Sequence, residues 1–297
     1  MQEQGRRSVK TPCKINLHLG IHAEKDKRGY HRVDSVMVPV GLYNTITVCD
    51  ASELVIEHAP ALDIAGEKTA VWKAATMLAA ELGCEPNVSI KVENTIPDQA
   101  GLGGSSADAA ATLRALAERW GIDALDSRVV AVARRVGADV SFFLHPVPSL
   151  FLNAGDVLEE AFPKIVGMPL VLVLPKTDGV STTDAYDAFD VAPTQPKEYS
   201  RLCDLLRAGV TEAEYQQVAD LLYNNLAPSA KALCPEVAEI ERWLSARSDV
   251  VGAMVSGSGS CSFAICTSHE SAKKIAQEAQ SLHGWRAFAT MTVGFDG

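Results

Sequence analysis

Apolar residues fall on alternate positions early in the chain and on every third or fourth position later. Cys13, Ile15, Leu17 and Leu19 alternate with Lys14, Asn16, His18 and Gly20. This period of two predicts a strand with one buried face. Lys14 and Asn16 then share the other face, which a half-buried sheet turns toward water. Residues 8–11, before Pro12, show no period. Val33, Ser35, Met37 and Pro39 mark one side of the next strand, and Val36, Val38 and Val40 the other. Further strands are predicted over 44–48, 53–57 and 87–92 from their β-branched content. Val71, Ala74, Ala75, Met77 and Leu78 have helical spacing and predict a helix over 69–82. Leu113, Leu116 and Trp120 predict another, starting near Ser105 or Ser106. Asp126 and Ser127 open a third, through about Arg135. Residues 137–144 read as a helix-to-strand turn around Asp139, and Phe151, Val157 and Leu158 as short strands around the turn 153–156.

The second half alternates strands with helices. Pro163 and Gly167-Met168-Pro169 suit a domain boundary, dividing the chain into 1–165 and 166–297. The uniformly apolar run 170–174 predicts a buried central strand. Ser181 to Asp184 can cap a helix over 185–189. Residues 197–246 read as mainly helical, broken at Pro228 and Pro235. Strands over 250–255 and 261–266 flank a second glycine-rich turn, Ser256-Gly257-Ser258-Gly259-Ser260. An amphipathic helix over 269–282 and a strand over 285–293 follow. The order predicts an α/β architecture of two units.

Composition narrows the function. The 297 residues are 47% hydrophobic, enough for a sizeable core. A net charge of −10 and a pI near 5.2 argue against general nucleic-acid or anionic-membrane binding. A local basic cleft for a phosphorylated small molecule stays open. No apolar run approaches membrane-spanning length, and no apolar signal core follows the polar first ten residues, so a cytoplasmic protein is expected. Seven cysteines, an odd number with no CxxC pair, suit buried thiols rather than a disulfide framework or zinc site.

The chemistry concentrates in Pro97-Asp98-Gln99-Ala100-Gly101-Leu102-Gly103-Gly104-Ser105-Ser106. Glycines let the backbone reach positive φ and approach a ligand closely. The free N–H groups and positive end of the following helix suit a phosphate. The two serine hydroxyls can cap the helix, bind phosphate or face a magnesium ion. No Gly-Lys-Ser/Thr follows, so this is not a Walker A loop. A third glycine is also missing at the offset a dinucleotide fingerprint requires.

The string resembles the phosphate loop of the GHMP kinase superfamily, Pro-x-x-x-Gly-Leu-Gly-Ser-Ser-Ala. Two more landmarks of that superfamily occur in order: Pro12-Cys13-Lys14-Ile15-Asn16-Leu17 and the turn 256–260. The nearest likeness within it is to the branch that phosphorylates a cytidine diphosphate-linked methylerythritol. Gly29-Tyr30-His31, Leu42-Tyr43-Asn44-Thr45-Ile46 and Gly137-Ala138-Asp139-Val140-Ser141-Phe142-Phe143 carry that likeness. The resemblance implies a ribosomal-protein-S5-like N-terminal domain and a ferredoxin-like C-terminal α/β sandwich. It implies ATP and Mg2+ as cofactors and a cytidylylated methylerythritol as small-molecule substrate. It implies that Asp139 accepts the alcohol proton beside Lys14. It places ATP at Pro97, Ala100, Gly101, Leu102, Gly103, Gly104, Ser105 and Ser106. Asn16, Tyr30, His31, Ser256 and Gly257 would face the substrate, with Tyr186 as a second stacking ring or simply a packed aromatic.

Three departures from the branch stand out. Pro146-Val147-Pro148-Ser149 replaces a Gly-Gly-x-Ala segment, Asn153-Ala154-Gly155-Asp156 replaces Gly-x-Gly-Glu, and Ser105 replaces a glycine. Proline donates no N–H bond, so these changes keep two alternatives open. One is a GHMP kinase for a sugar, homoserine or mevalonate-type alcohol; the other is a catalytically impaired nucleotide-binding relative.

Overall fold

The computed structural model describes residues 6–61, 64–177 and 179–295. Two long strands, β1 (Arg7–Lys25) and β2 (His31–Asp50), pair antiparallel from Arg7↔Val48 to Lys25↔His31. They unite what the periodicity divides into shorter strands. Residues 8–11 belong to β1, held by ladder bonds to 44–47 rather than by an amphipathic pattern. Gly41 and Leu42 bulge out between Val40 and Tyr43, which pair with Cys13 and Pro12. The bulge lets one continuous β2 serve two different neighbours.

A second register shift, between Asn16 and His18, exchanges the faces of β1. Before it, Cys13, Ile15 and Leu17 join the core, while Lys14 and Asn16 face a cavity. Beyond it, Leu19 lines that cavity, and His18 packs between Tyr199 and Tyr223. Both faces are therefore covered. Lys14 is 3% exposed and Asn16 2%, which corrects the expected solvated face. Alternation marks two faces but does not say what covers the second.

Along the chain follow β3 (Val55–Ala59), α1 (Ala70–Leu82), β4 (Val88–Glu93), α2 (Gly104–Arg119), α3 (Ser127–Val136), α4 (Val140–Leu144), β5 (Ser149–Leu152) and β6 (Val157–Ala161). Local chemistry sets several of these bounds. Thr69 caps α1 by accepting from the Trp72 N–H, and Gly83 ends it in the left-handed region. Asp126 caps α3. Residues 140–144 form a short buried helix rather than a turn into a strand, because Phe142 and Phe143 pack inward beside α2. In α2, Ala107, Ala109, Ala110, Ala111, Ala115 and Ala117 are all buried. Small side chains let this helix lie close to α1, α4 and the β1–β2 hairpin.

The second half adds β7 (Pro169–Leu174), α5 (Thr182–Val191), α6 (Ser200–Ala208), α7 (Tyr215–Asp220), β8 (Tyr223–Asn224), α8 (Ala227–Leu233), α9 (Pro235–Ser245), β9 (Val250–Val255), β10 (Ser262–Cys266), α10 (His269–His283) and β11 (Arg286–Met291). Ser181 caps α5 as its sequence predicts. Pro228 and Pro235 sit in the first turns of α8 and α9, where a missing N–H costs nothing, so they begin helices rather than break one.

The strands form two sheets. The larger runs β3-β4-β2-β1-β8, with β5 on the other half of β2 and β6 beyond it. The smaller is antiparallel, in the order β11-β7-β10-β9. Its central β7 is buried throughout. Val171 and Val173 pack toward α9 and α10, while Leu170, Leu172 and Leu174 join the core that holds β1, β2 and α2. All strands of the smaller sheet follow residue 168, but β8 returns to pair with β1. Among the described residues no helix is long and apolar enough to cross a membrane. All seven cysteines are free, and five of them are buried.

Candidate active site

The segment from Pro97 to Ser106 wraps the start of α2. Gln99, Gly101 and Gly103 all have positive φ, and Gly103 occupies the N-cap position. Its left-handed backbone replaces the serine cap, so α2 starts at Gly104 and neither serine closes the helix end. The first intrahelical bond runs from the Ala107 N–H to the Gly103 carbonyl. The N–H groups of Gly104, Ser105 and Ser106 precede that ladder and suit an anion. Ser105 lies within α2, where no positive φ is required, so this departure leaves the loop backbone intact.

Three neighbours hold the loop. The Lys14 N–H donates to the Leu102 carbonyl at 3.0 Å, tying the loop to β1. The turn 256–260 grips it from the smaller sheet. Ser256 Oγ donates to the Gly101 carbonyl at 3.0 Å. The N–H groups of Ser260 and Cys261 donate to Gln99 and Ala100. Asn44 spans the base of the loop. Its Oδ1 accepts from the Thr95 and Ile96 N–H groups, and its Nδ2 donates to Asp108 Oδ1 at 2.8 Å. Burial pushes the Asp108 carboxyl up to about 7 despite that bond. Sequence reasoning missed Asn44 and Asp108 as a pair, since neither carries a glycine or phosphate signature.

Beside the loop lies a cavity of about 390 Å³. Lys14 extends into it from β1. Its Nζ donates to Asn16 Oδ1 at 2.6 Å and lies 3.5 Å from Asp139 Oδ2. Asn16 Nδ2 in turn donates to Ser35 Oγ on β2 at 2.9 Å. Asp139, just before α4, keeps 34% of its side chain exposed. The cavity thus brings together the Lys14 cation, the carboxylates of Asp139 and Asp98, a neutral amide and a row of backbone donors. That set can hold phosphate and take a proton from an alcohol.

Most of the predicted site residues meet here. Lys14, Asn16, Pro97, Ala100, Gly101, Gly103, Gly104, Ser105, Ser106, Asp139, Tyr186 and Gly257 line the cavity. Burial pushes the Tyr186 phenol above its usual range, and the charge of Asp139 adds to the shift. Leu102 and Ser256 are not among the lining residues. Leu102 is buried in the core, and the Ser256 hydroxyl is spent on the loop. Tyr30 and His31 are absent from the lining as well. Tyr30 is 60% exposed. His31 is buried, with Nδ1 2.7 Å from the His22 carbonyl, Nε2 3.0 Å from Asp190, and its ring against Tyr186 and Phe189.

Of the remaining departures, one lies away from the cavity and the other borders it through Ala154 and Gly155. Residues 146–149 are buried against β5 and β6 and are absent from the cavity lining. Asn153 adopts φ 62°, a region asparagine tolerates better than most residues, so it can follow the backbone of a glycine. A second cavity of about 630 Å³ shares Pro97, Asp98 and Gln99 with the first and is also lined by Asn94, Lys176 and Arg286. Its far wall comes from residues distant in sequence, which no local motif reveals.

The chain matches the family described as GHMP kinases N terminal domain over residues 69–146, and GHMP kinases C terminal over 204–283. The 4-diphosphocytidyl-2-C-methyl-D-erythritol kinase of Desulfitobacterium hafniense is 34% identical, with 92% of each chain covered. The protein of the same description from a Nocardioides species is also 34% identical, over 91% of this chain and 92% of its own. A crystal structure of 4-(cytidine 5'-diphospho)-2C-methyl-D-erythritol kinase superposes with a TM-score of 0.74 at 28% identity, covering 97% of this chain and 100% of the other. Homoserine kinase from Cytophaga hutchinsonii shares the fold at 19% identity, with a TM-score of 0.72 over 99% of this chain and 96% of its own.

Proposed function

The chain belongs to the GHMP kinases, and from that premise we propose that it transfers the γ-phosphoryl group of ATP to the 2-hydroxyl of 4-diphosphocytidyl-2-C-methyl-D-erythritol. The observation that carries the reading is the Lys14–Asp139 pair, 3.5 Å apart in the cavity that the glycine loop borders. Phosphoryl transfer is mainly positioning and charge stabilisation. The N–H groups of residues 104–106 receive the phosphates at the start of α2. The nucleoside of ATP extends into the second cavity, past Pro97 and Gln99. Lys14 balances charge on the phosphoryl group in transit. Asn16, held by Ser35, orients the acceptor alcohol. Asp139 accepts the hydroxyl proton as that oxygen bonds to phosphorus and the bond to the ADP oxygen breaks.

Magnesium ordinarily keeps several waters and is held by nucleotide phosphates with one or two protein oxygens. The Ser105 and Ser106 hydroxyls and the Asp139 carboxylate give the cavity a hard-oxygen donor set that fits such an ion. When bound, the ion neutralises phosphate charge.

The cytidine end of the substrate is assigned to Tyr30 and Tyr186. Tyr30 offers an exposed ring at the tip of the β1–β2 hairpin, and Tyr186 faces the cavity from α5. His31 supports Tyr186 by ring contact, with its Nδ1 2.7 Å from the His22 carbonyl oxygen and its Nε2 3.0 Å from an Asp190 carboxylate oxygen. Tyr30→Ala is therefore expected to raise the KM for the cytidylylated alcohol by roughly ten- to a hundred-fold, the scale of one base–aromatic stack. Steady-state kinetics on the folded variant should leave the KM for ATP unchanged. An unchanged KM for the cytidylylated alcohol would remove Tyr30 from the site.

A further inference from the structure

The exposed Tyr30 ring does not stand alone. The Arg28 guanidinium lies over it, 5.3 Å from the ring centroid, within the range of a cation–π contact. Arg28 is fixed by two carboxylates. Its Nε donates to Asp26 Oδ2 at 2.7 Å, and its Nη1 to Asp156 Oδ2 at 3.2 Å. Asp26 also accepts from the Arg28 and Tyr30 N–H groups, which sets the turn carrying both residues.

Asp156 is the unusual member. It is 2% exposed, and the same Oδ2 accepts from Arg134 Nε on α3 at 3.3 Å. Its Oδ1 accepts from the Ala154 N–H at 3.3 Å, and Ala154 and Gly155 line the catalytic cavity. A buried carboxylate is stable only with such partners. Asp156 therefore joins three pieces: the hairpin tip with Tyr30, the cavity-lining turn, and α3.

We propose that Arg28, anchored by Asp156, is a specificity-determining positioning residue that backs one face of Tyr30 and presents the other to the nucleobase. The inference rests on the reading of Tyr30 as the base platform. A freely rotating tyrosine must be ordered when a ligand binds, and that ordering weakens affinity. Arg28 removes part of this cost without touching the ligand. Lys25 and His31, both paired to Asp190 on α5, fix the hairpin relative to Tyr186 in the same way.

The test is a double-mutant cycle on the full chain, using Arg28→Gln, Tyr30→Ala and the pair, with the KM for the cytidylylated alcohol, the KM for ATP and kcat measured for each. Arg28→Gln should raise the alcohol KM by about three- to ten-fold and leave the other two constants within a factor of about two. In the Tyr30→Ala background, Arg28→Gln should have no further effect. Asp156→Asn, which keeps the shape but loses the charge, should move the alcohol KM in the same direction. Multiplying effects would overturn the proposal, because Arg28 would then act on the ligand or the fold directly. A Tyr30→Ala effect with Arg28→Gln silent would overturn it while sparing Tyr30 as the platform. A silent Tyr30→Ala would remove both.

Discussion

Asp139→Asn is expected to lower kcat by about a hundred- to ten-thousand-fold, the usual contribution of a positioned base. The KM for ATP should stay within a few-fold. Asparagine keeps the size of aspartate but cannot take a proton. Asp139 is partly exposed in the cavity, and no capping bond ties its side chain to α4. Its carboxylate is free of the structural task that aspartates before a helix usually perform. Loss of its charge leaves Lys14 Nζ with its 2.6 Å bond to Asn16, so the lysine need not move. Single-turnover measurement of ADP formation separates this loss from slow product release. Turnover within a few-fold of the parent would make Asp139 a structural residue.

Gly101→Ala is expected to be almost as damaging, by a different route. A Cβ at Gly101 would lie 2.0 Å from the Ser256 carbonyl oxygen and 3.1 Å from the Gly259 nitrogen. The obstacle is backbone, so no side-chain rotation relieves it. The φ of 70° adds about 1–2 kcal/mol of strain for any L side chain. The loop must withdraw from the turn 256–260, which endangers the hydrogen bonds made by Ser256, Ser260 and Cys261. The KM for ATP should rise by about thirty-fold or more, since each bond contributes about 1 kcal/mol to holding the loop. Gly121→Ala is the control. Its φ of 72° gives similar strain, but nothing lies within 4 Å of the added Cβ. That variant should lose some thermal stability and keep its KM for ATP. Equal KM values for the parent and a folded Gly101→Ala protein would show that the grip of the turn is unimportant.

Much of this site is legible in the chain because glycine chemistry is local. Gly101 and Gly103 adopt the backbone region that their composition suggests, and the strand–loop–helix order follows from hydrophobic periodicity. The limits of legibility are equally physical. The start of α2 falls at Gly104 because a left-handed glycine can occupy the N-cap, a choice the two following serines conceal. Lys14 and Asn16 share one face of β1, but only the tertiary arrangement of the glycine loop, α5 and the turn 256–260 makes that face a cavity. The Asn44–Asp108 pair and the Arg28–Asp156 pair join residues 64 and 128 positions apart. No periodicity or spacing encodes such contacts. His31 reads as a base-recognising residue by its place after Tyr30, yet its ring is buried between Tyr186 and Phe189.

The two glycine-rich segments also explain why a bilobed architecture suits the reaction. The phosphate loop belongs to the larger sheet and the turn 256–260 to the smaller, and hydrogen bonds join them directly. The second cavity is walled by Asn94 on one side and by Lys176 and Arg286 on the other. A nucleotide there would touch both halves, so its binding should stabilise their present arrangement.

The most direct measurement is ADP release from the protein with ATP and magnesium, in parallel with 4-diphosphocytidyl-2-C-methyl-D-erythritol, homoserine, mevalonate and a simple sugar. The cytidylylated alcohol should be the preferred acceptor, by about a hundred-fold or more in kcat/KM, and phosphorus NMR of the product should place the new phosphate on the 2-oxygen. Equal or faster turnover of any of the simple alcohols, or no ADP release with the cytidylylated one, would contradict the account.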